Sequence, residues 1–352
     1  MQQENSFRRY AVSDLIKHMA ALLPGPIRTA KHIKRTGLEV FFPFYHAVSN
    51  QVLPHIRQLY TPRNTAEFET DLDYLLKYFE PVKMSEFLAG GRGKETRRPP
   101  MVLSFDDGLI QCHQEIMPVL LRKGIPATLF LNNHFIDNKD LFFRYKVSLL
   151  LELLPDKSEA EKKQAARILQ CPVSEIVRRL LDLSYLEREL TDRLATQWSY
   201  SFEAYMSANP VYLSSHHIVD MVEKGFEMGS HGLDHPQFSQ LPAGESLDHI
   251  RQSIEDLQLR FGLDYKYFSF PFTDYGVQDE TIEELFRRNI IEAGFGTAGL
   301  KVDMGPKYFQ RVPMEFRELD AKQILRGELN RRRVRKLAGK NRVRRGTQNN
   351  GG

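Results

Sequence analysis

Short apolar segments alternate with amphipathic segments from Leu38 onward, and this alternation restricts the fold of the chain more than any other feature. EVFFPFYHAV, PPMVLSFDDG and IPATLFLNN read as strands, and NTAEFETDLDYLLKYF and QEIMPVLLRKG read as helices between them. Parallel strands that are buried on both faces form unbroken apolar runs of this kind. The pattern therefore predicts an α/β fold with a parallel sheet, either open or closed into a barrel.

The alternation stops between residues 137 and 206, where charged helical sequence such as SEAEKKQAARILQ takes over. It resumes with the helical segment HHIVDMVEKG and the strand-like segments FEMGSHG and KYFSFPF, while FGTAG and YFQRVPM are weaker strand candidates. We therefore predict one domain over residues 38–320 that contains a helical insertion at 137–206.

Both ends of the chain are basic. Residues 1–37 include DLIKHMAALL, whose helical spacing predicts either a helix packed on the core or one on a membrane surface. The segment from Arg331 to Arg345 holds nine Lys or Arg and no acid; since the whole chain carries +4, the rest carries −5. Two interpretations are open: such a segment binds an anionic partner, either lipid or nucleic acid, or it stays solvated and mobile. We predict a flexible basic tail over 321–352.

The composition places the chain among ordinary soluble globular proteins, with 41% hydrophobic and 27% charged residues. Its two cysteines, Cys112 and Cys171, form no disulfide framework and fit a reducing compartment. We find no apolar run long enough to span a membrane and no secretory signal. The expected location is therefore cytoplasmic, with peripheral contact to the inner face of an anionic membrane through the basic tail.

Polar residues with metal-binding chemistry follow two of the predicted strands. Asp106 and Asp107 end the strand in SFDDG, and His231 and His235 follow the strand in FEMGSHGLDHP. In parallel α/β folds, ligands bind at the carboxyl ends of the strands. Carboxylate and imidazole groups suit a zinc-like divalent ion, which would also remove the repulsion between the two neighbouring aspartates.

The spacing of the two histidines differs from that of a helical zinc protease site. Gly232 rather than Glu follows His231, and Pro236 disfavours helical geometry at His235, so we place both histidines on a tight loop. A third strand end, FSFPFTDYG, contains Pro271, which stiffens the bend. The backbone amide of Phe272 could point into the site there and stabilise an oxyanion.

With SFDDG, SHGLDHP and FSFPFTDYG in this order, the chain resembles the polysaccharide deacetylase family, also called the NodB-homology domain or carbohydrate esterase family 4. The similarity covers roughly residues 38–315. The early FPFYHAV resembles the branch of poly-N-acetylglucosamine de-N-acetylases, whose layout is permuted. The resemblance implies a distorted (β/α) barrel and a divalent metal, for which zinc is our expectation. It also implies that Asp106 is the general base and that the metal ligands are Asp107, His231 and His235.

The family pattern differs from this sequence at two functional positions. The family places a Leu-x-His near its carboxyl end, but no histidine follows His249 here; we predict that His46 in FYHAV is the general acid, with His134 as runner-up. The family also has an arginine where Ser269 stands, and Arg311 is our candidate to replace its charge. Two further basic residues, Arg144 and Lys146, either line the substrate groove or belong to a solvated charged face.

The function implied by this resemblance is hydrolytic removal of acetyl groups from an N-acetylated sugar in surface polysaccharide or glycolipid metabolism. The alternative is a glycan-binding module on the same fold that has lost its acid and does not catalyse. Nothing in the body of the chain indicates nucleic-acid binding, because aromatic and basic residues are not interleaved as in RNA-recognition modules.

Overall fold

A barrel of parallel strands forms the centre of the computed structural model, which describes Ile33 and residues 36–90, 98–315 and 319–345. The strands are β1 (Pro43–Tyr45), β2 (Glu80–Pro81), β3 (Pro100–Met101), β4 (Leu103–Phe105), β5 (Ala127–Leu131), β6 (Glu227–Ser230), β7 (Tyr267–Ser269), β8 (Ala293–Gly296), β9 (Tyr308–Gln310) and β10 (Val312–Pro313). Eight of them pair in the order β10-β1-β4-β5-β6-β7-β8-β9, while β2 pairs with β3. Each pairing between these strands is parallel.

The barrel closes through the last strand segment. β9 pairs with β8, and after the single residue Arg311 the chain continues as β10, which pairs with β1. The Arg311 amide donates to the carbonyl of Gly296 on one side, and the Val312 amide donates to Phe42 on the other. The predicted distorted (β/α) barrel is therefore confirmed, in its nearly closed form.

Helices alternate with the strands around the barrel, as the sequence pattern predicts. They are α1 (Pro54–Arg57), α2 (Thr65–Leu76), α3 (Met84–Leu88), α4 (Met117–Lys123), α5 (Phe143–Leu153), α6 (Glu159–Leu169), α7 (Ile176–Leu181), α8 (Glu189–Gln197), α9 (Phe202–Ala208), α10 (Ser215–Glu223), α11 (Ala243–Phe261), α12 (Asp279–Arg287) and α13 (Ala321–Leu337). Shorter helical turns cover Cys112–Ile116 (a π turn), Asn133–Asn138, Leu154–Asp156, Val173–Glu175, Tyr185–Glu187 and Phe238–Gln240. Among the described residues, no helix combines the length and apolar character that a membrane span needs.

Aromatic side chains fill the barrel below the carboxyl ends of its strands. The rings of Phe42 and Phe130 both pack against Phe295, with centroids 5.9 and 5.3 Å away. Outside the sheet, α2 packs its Phe68, Leu72 and Leu75 into the main core and begins with a capping box at Asn64. This packing holds the strand ends in fixed positions, because close-packed interiors resist rearrangement.

Six helices, α5 to α10, lie between β5 and β6. The first five, α5 to α9, occupy most of the predicted insertion and share a hydrophobic core of their own, which includes Leu150, Leu169, Leu180, Leu194 and Trp198. The same cluster contains Ala47 and Leu109, which follow β1 and β4. The helical segment therefore packs directly on the loops at the carboxyl ends of two barrel strands.

The prediction of a flexible tail over 321–352 is wrong for the residues that the structure describes. Residues 321–337 form α13, which packs against α2 and buries Ile324, Leu325 and Leu329. The charge count misled this prediction because buried or nearby carboxylates and carbonyls hold several of the basic side chains. Residues 346–352, and nearly all of the predicted basic helix at 1–37, lie outside the described part.

Candidate active site

The predicted strand ends converge on one cavity of about 1060 Å³. Among its lining residues are the two histidines and two aspartates of the predicted set, together with Phe272. Asp107, His235 and Phe272 all have left-handed backbone conformations, with φ of 70°, 59° and 57°. Such conformations cost on the order of 1 kcal/mol or more for residues other than glycine and cluster at functional sites. Backbone geometry thus marks the same three loops as the motifs.

Asp106 is buried and held by Arg311. The two guanidinium nitrogens of Arg311 donate to the two carboxylate oxygens, each over 2.7 Å. Ser269 and Ser104 accept further hydrogen bonds from the same guanidinium, and the ring of Phe44 lies 4.2 Å from it. Burial alone would raise the pKa of Asp106, but the charges of Arg311 and His231 lower it. The structure therefore places the Arg311 guanidinium against Asp106, where it can supply the charge of the arginine that Ser269 replaces.

Among the described residues, one cluster could hold a metal ion. It consists of Asp107, His231 and His235. One ligand atom from each lies within 4.8 Å of the others, and all three side chains are buried. The Nε2 atom of His235 is 3.3 Å from Oδ1 of Asp107, and that of His231 is 3.7 Å away. Two imidazoles and a carboxylate match the ligand set of a catalytic zinc site.

Two details of this cluster fit a cation. Oδ1 of Asp107 is buried and has no hydrogen-bond partner within the described residues, which is costly for a carboxylate unless something positive binds it. Nδ1 of His231 donates to the carbonyl of Ser269 over 2.8 Å, which leaves the Nε2 lone pair facing the aspartates. Burial lowers the pKa of His231 to about 4, so the ring is neutral and able to coordinate at pH 7.

The loop after β7 places Phe272 at the cavity and Pro271 behind it. Pro271 is buried, and its carbonyl accepts from Thr273 over 2.6 Å in a tight turn. Phe272 is 41% exposed, and the centroid of its ring lies 4.6 Å from that of the His235 ring. Within the described residues, no hydrogen-bond partner of the Phe272 amide is found, and Phe272 lines the cavity.

His46, the predicted acid, lines the same cavity and has a carboxylate partner that the sequence did not reveal. Its Nδ1 is 2.6 Å from Oε2 of Glu315, and the amides of His46 and Ala47 donate to the same carboxylate. Burial alone would lower the pKa of His46, but the charge and hydrogen bond of Glu315 raise it to about 9. The imidazole is therefore protonated at pH 7 and can donate a proton from Nε2.

The remaining candidates lie in different settings. Arg144 lines the cavity, but its guanidinium donates to the carbonyls of Leu181 and Leu183 and ties α5 to the end of α7. Lys146 does not line the cavity and is not on a solvated face: it is buried and pairs with Asp140 and Asp192, which hold it inside the helical segment. His134, the runner-up acid, is exposed and is not among the lining residues of the cavity.

The helical segment also contributes a residue that the sequence analysis missed. The hydroxyl of Tyr145, on α5, donates to Oδ2 of Asp107 over 2.6 Å. Phe142, at the start of the same helix, packs 4.1 Å from the His235 ring. Tyr185 donates to Asp234, which lies between the two histidines in sequence, over 2.8 Å. In the helical segment, the sequence analysis selected only Arg144 and Lys146. A tyrosine in a predicted helix gives no indication that its hydroxyl will contact a residue as far away in sequence as Asp107.

The sequence of residues 93–183 and 188–289, more than half of the chain, matches the family model described as polysaccharide deacetylase. No curated protein matches the chain in sequence. Among solved structures, a Streptococcus pyogenes deacetylase, PplD, in complex with acetate is similar with a TM-score of 0.53 and 11% identity. That match covers 83% of this chain and 98% of PplD.

IcaB from Ammonifex degensii is similar with a TM-score of 0.51 and 15% identity, over 83% of this chain and 97% of IcaB. At such low identity these two structures support the fold and not the chemistry. The family assignment therefore comes from the sequence match, and the assignment of each side chain comes from the geometry of the cavity.

Proposed function

Since the chain belongs to the polysaccharide deacetylase family, we propose that it is a metal-dependent hydrolase that removes acetyl groups from an N-acetylated sugar. Family membership assigns the chain to the carbohydrate deacetylases. Metal dependence, the site residues and a place in surface polysaccharide or glycolipid metabolism are the parts that we add. The cytoplasmic location, with the inner face of the membrane as the working surface, also remains a prediction.

The main support for this proposal is that four kinds of chemical group line one cavity. A buried metal-binding set, a carboxylate held by Arg311, a free backbone amide and a protonated histidine surround the same space. Hydrolysis of an amide needs such groups, because water must be activated, an oxyanion stabilised and an amine protonated as it leaves.

Asp107, His231 and His235 would hold the metal, and zinc suits this mixture of one carboxylate and two imidazoles. When bound, the metal would supply a Lewis acid that lowers the pKa of water and polarises the acetyl carbonyl. Tyr145 and the Ser269 carbonyl orient two of the ligands through their second atoms. Partners of this kind fix ligand geometry and influence metal affinity.

Asp106 is the proposed base, since its lowered pKa keeps it ionised at neutral pH. It accepts a proton from water as the water oxygen bonds to the acetyl carbon. Arg311 fixes the plane of the carboxylate through its two hydrogen bonds, so that a remaining lone pair can face the reacting water. Such fixed geometry is a main source of catalytic rate.

Phe272 and His46 complete the reaction. The free amide of Phe272 is proposed to donate to the oxyanion that forms when water adds to the carbonyl. His46 then gives its proton to the departing nitrogen as the carbon–nitrogen bond breaks, which releases acetate and the sugar amine. The non-catalytic alternative rested on a missing acid, and the protonated His46 beside Glu315 argues against it.

The proposal is tested by measuring acetate release from a panel of N-acetylated sugars together with the metal content of the purified protein. We expect bound divalent metal, release from at least one sugar, loss of release after chelation and recovery when zinc is restored. Metal binding without release from any sugar would favour the glycan-binding module. Release by fully chelated protein would contradict metal dependence.

Tyr145→Phe is expected to weaken zinc binding about tenfold, because Asp107 loses the hydroxyl that orients it. The measurement is a competition titration against a chromogenic chelator. Tyr205→Phe is the matched control: its hydroxyl also bonds a side chain from outside the helical segment, Nδ1 of His55, but His55 is not a member of the metal-binding set. Equal zinc affinity for wild type and Tyr145→Phe would contradict the positioning role.

A further inference from the structure

The end of α13 and the segment that follows it present apolar side chains to solvent. Val334 is 66% exposed and Leu337 is 91% exposed, one helical turn apart. Val302, 44% exposed, lies beside the segment that follows the helix, because its amide and carbonyl form 2.9 Å hydrogen bonds with Asn341 and Val343. Large aliphatic side chains exposed together on one surface indicate an interaction site.

Basic side chains flank these apolar residues. Lys340, Arg342 and Arg344 are exposed, and no ion pair with a carboxylate is found for them within the described residues. We call the C-terminal surface the set formed by Val302, Val334, Leu337, Lys340, Arg342 and Arg344.

Other basic residues of the segment have structural partners. Arg332 is buried and donates to the Leu300 carbonyl, while Arg345 is buried and pairs with Asp274 and Asp303. Arg331 pairs with Glu328. The chain therefore neutralises the basic groups that face inward and leaves a separate set facing solvent.

The C-terminal surface adjoins the cavity. Arg331, one turn before Val334 on α13, lines the cavity, and so does Lys301, the neighbour of Val302. A partner that covers the C-terminal surface would therefore lie close to the cavity.

We propose that the C-terminal surface docks on an anionic lipid membrane. Lys and Arg side chains near such a surface contribute about 1 kcal/mol each, and aliphatic side chains enter the boundary between headgroups and acyl chains. The exposed leucine favours lipid over nucleic acid as the partner. A membrane has an apolar region next to its charged headgroups that can take up the leucine side chain, whereas the phosphate backbone of a nucleic acid has none. The docking does not depend on the deacetylase assignment, since vesicle binding is measured without any substrate.

The test is co-sedimentation of the full-length protein with phosphatidylcholine vesicles, with and without phosphatidylglycerol. We expect binding to the anionic vesicles only, decreasing as salt rises. Lys340→Gln combined with Arg342→Gln and Arg344→Gln should weaken this binding roughly a hundredfold, because three cationic side chains are removed. The charge-matched control is Lys163→Gln with Arg167→Gln and Arg193→Gln, three exposed basic residues in the helical segment, and it should bind like wild type.

The apolar contribution separates lipid from nucleic acid. Leu337→Ser should weaken vesicle binding about tenfold, since roughly 1.5 kcal/mol or more of side-chain burial is lost. Leu259→Ser, at an 87% exposed leucine on α11, is its control and should change nothing. Binding to a mixed-sequence oligonucleotide as tight as that to vesicles, unaffected by Leu337→Ser, would overturn the proposal. Equal loss in the charge-matched control, or no vesicle binding by wild type, would overturn it as well.

Discussion

Asp106→Asn is expected to lower kcat for acetate release by about 10³-fold, because an amide cannot accept the proton of the attacking water at neutral pH. Metal content should remain close to that of wild type, since the proposed ligands are Asp107, His231 and His235. The measurement pairs steady-state acetate release with metal analysis of the same preparation. A large loss of rate with full metal occupancy is specific to a catalytic group.

The substitution also leaves Arg311 buried without its carboxylate, and breaking a buried ion pair can cost about 3–5 kcal/mol. Circular dichroism and thermal unfolding must therefore accompany the kinetics. Asp140→Asn is a suitable control, because Asp140 pairs with Lys146 on the helical segment and its side chain is 57% exposed. Acetate release that survives Asp106→Asn in a folded, metal-loaded protein would exclude Asp106 as the base.

The strand ends of the site were predictable because a parallel sheet brings the carboxyl ends of its strands together whatever lies between them. Asp106 and His231 are separated by more than a hundred residues, yet each directly follows a strand, and their side-chain ends, Oδ2 and Nε2, lie 3.9 Å apart. Arg311 could be suggested because Ser269 stands where the family has an arginine, so that the missing charge had to come from another strand. In the structure the Ser269 hydroxyl accepts a hydrogen bond from the Arg311 guanidinium.

Glu315 and Tyr145 could not be predicted, because neither sits in a pattern that differs from ordinary sequence. Glu315 follows β10 and is 269 residues from His46 in sequence. The two side chains come into contact only because β10 pairs with β1 and closes the barrel. Tyr145 reaches Asp107 only because the core of the helical segment positions α5 over the loop after β4. Both contacts depend on tertiary packing that short-range patterns do not contain.

The C-terminal helix shows a different limit. A segment of fifteen residues, 331–345, with nine basic residues and no acid is predicted to be solvated when only neighbours in sequence are counted. In the structure Asp274 and Asp303, 71 and 42 residues away, hold Arg345, so charge is balanced in space and not along the chain. Ile324, Leu325 and Leu329 supplied an apolar stripe that the charge of the segment obscured.

His46→Ala is expected to lower kcat for N-acetylated sugar by about 10² to 10⁴-fold, because the amine then leaves without a positioned proton donor. An aryl acetate provides the decisive comparison. Its phenolate leaves readily without a proton, so His46→Ala should hydrolyse it nearly as fast as wild type, whereas Asp106→Asn should be slow on both substrates. Equal loss on the sugar and on the aryl acetate would exclude His46 as the acid.

The pH profile tests the same group independently. With its pKa raised to about 9, His46 carries its proton below that pH and loses it above, so kcat should be level at neutral pH and fall as pH rises through about 9. Glu315 is the main group that raises this pKa, with Asp107 and Asp106 adding to it. Glu315→Gln should therefore move the alkaline limb about one to three units lower, the usual effect of removing a close opposite charge. Glu315→Asp, which keeps the charge, should restore most of the range; a limb that stays in place in Glu315→Gln would show that another group donates the proton.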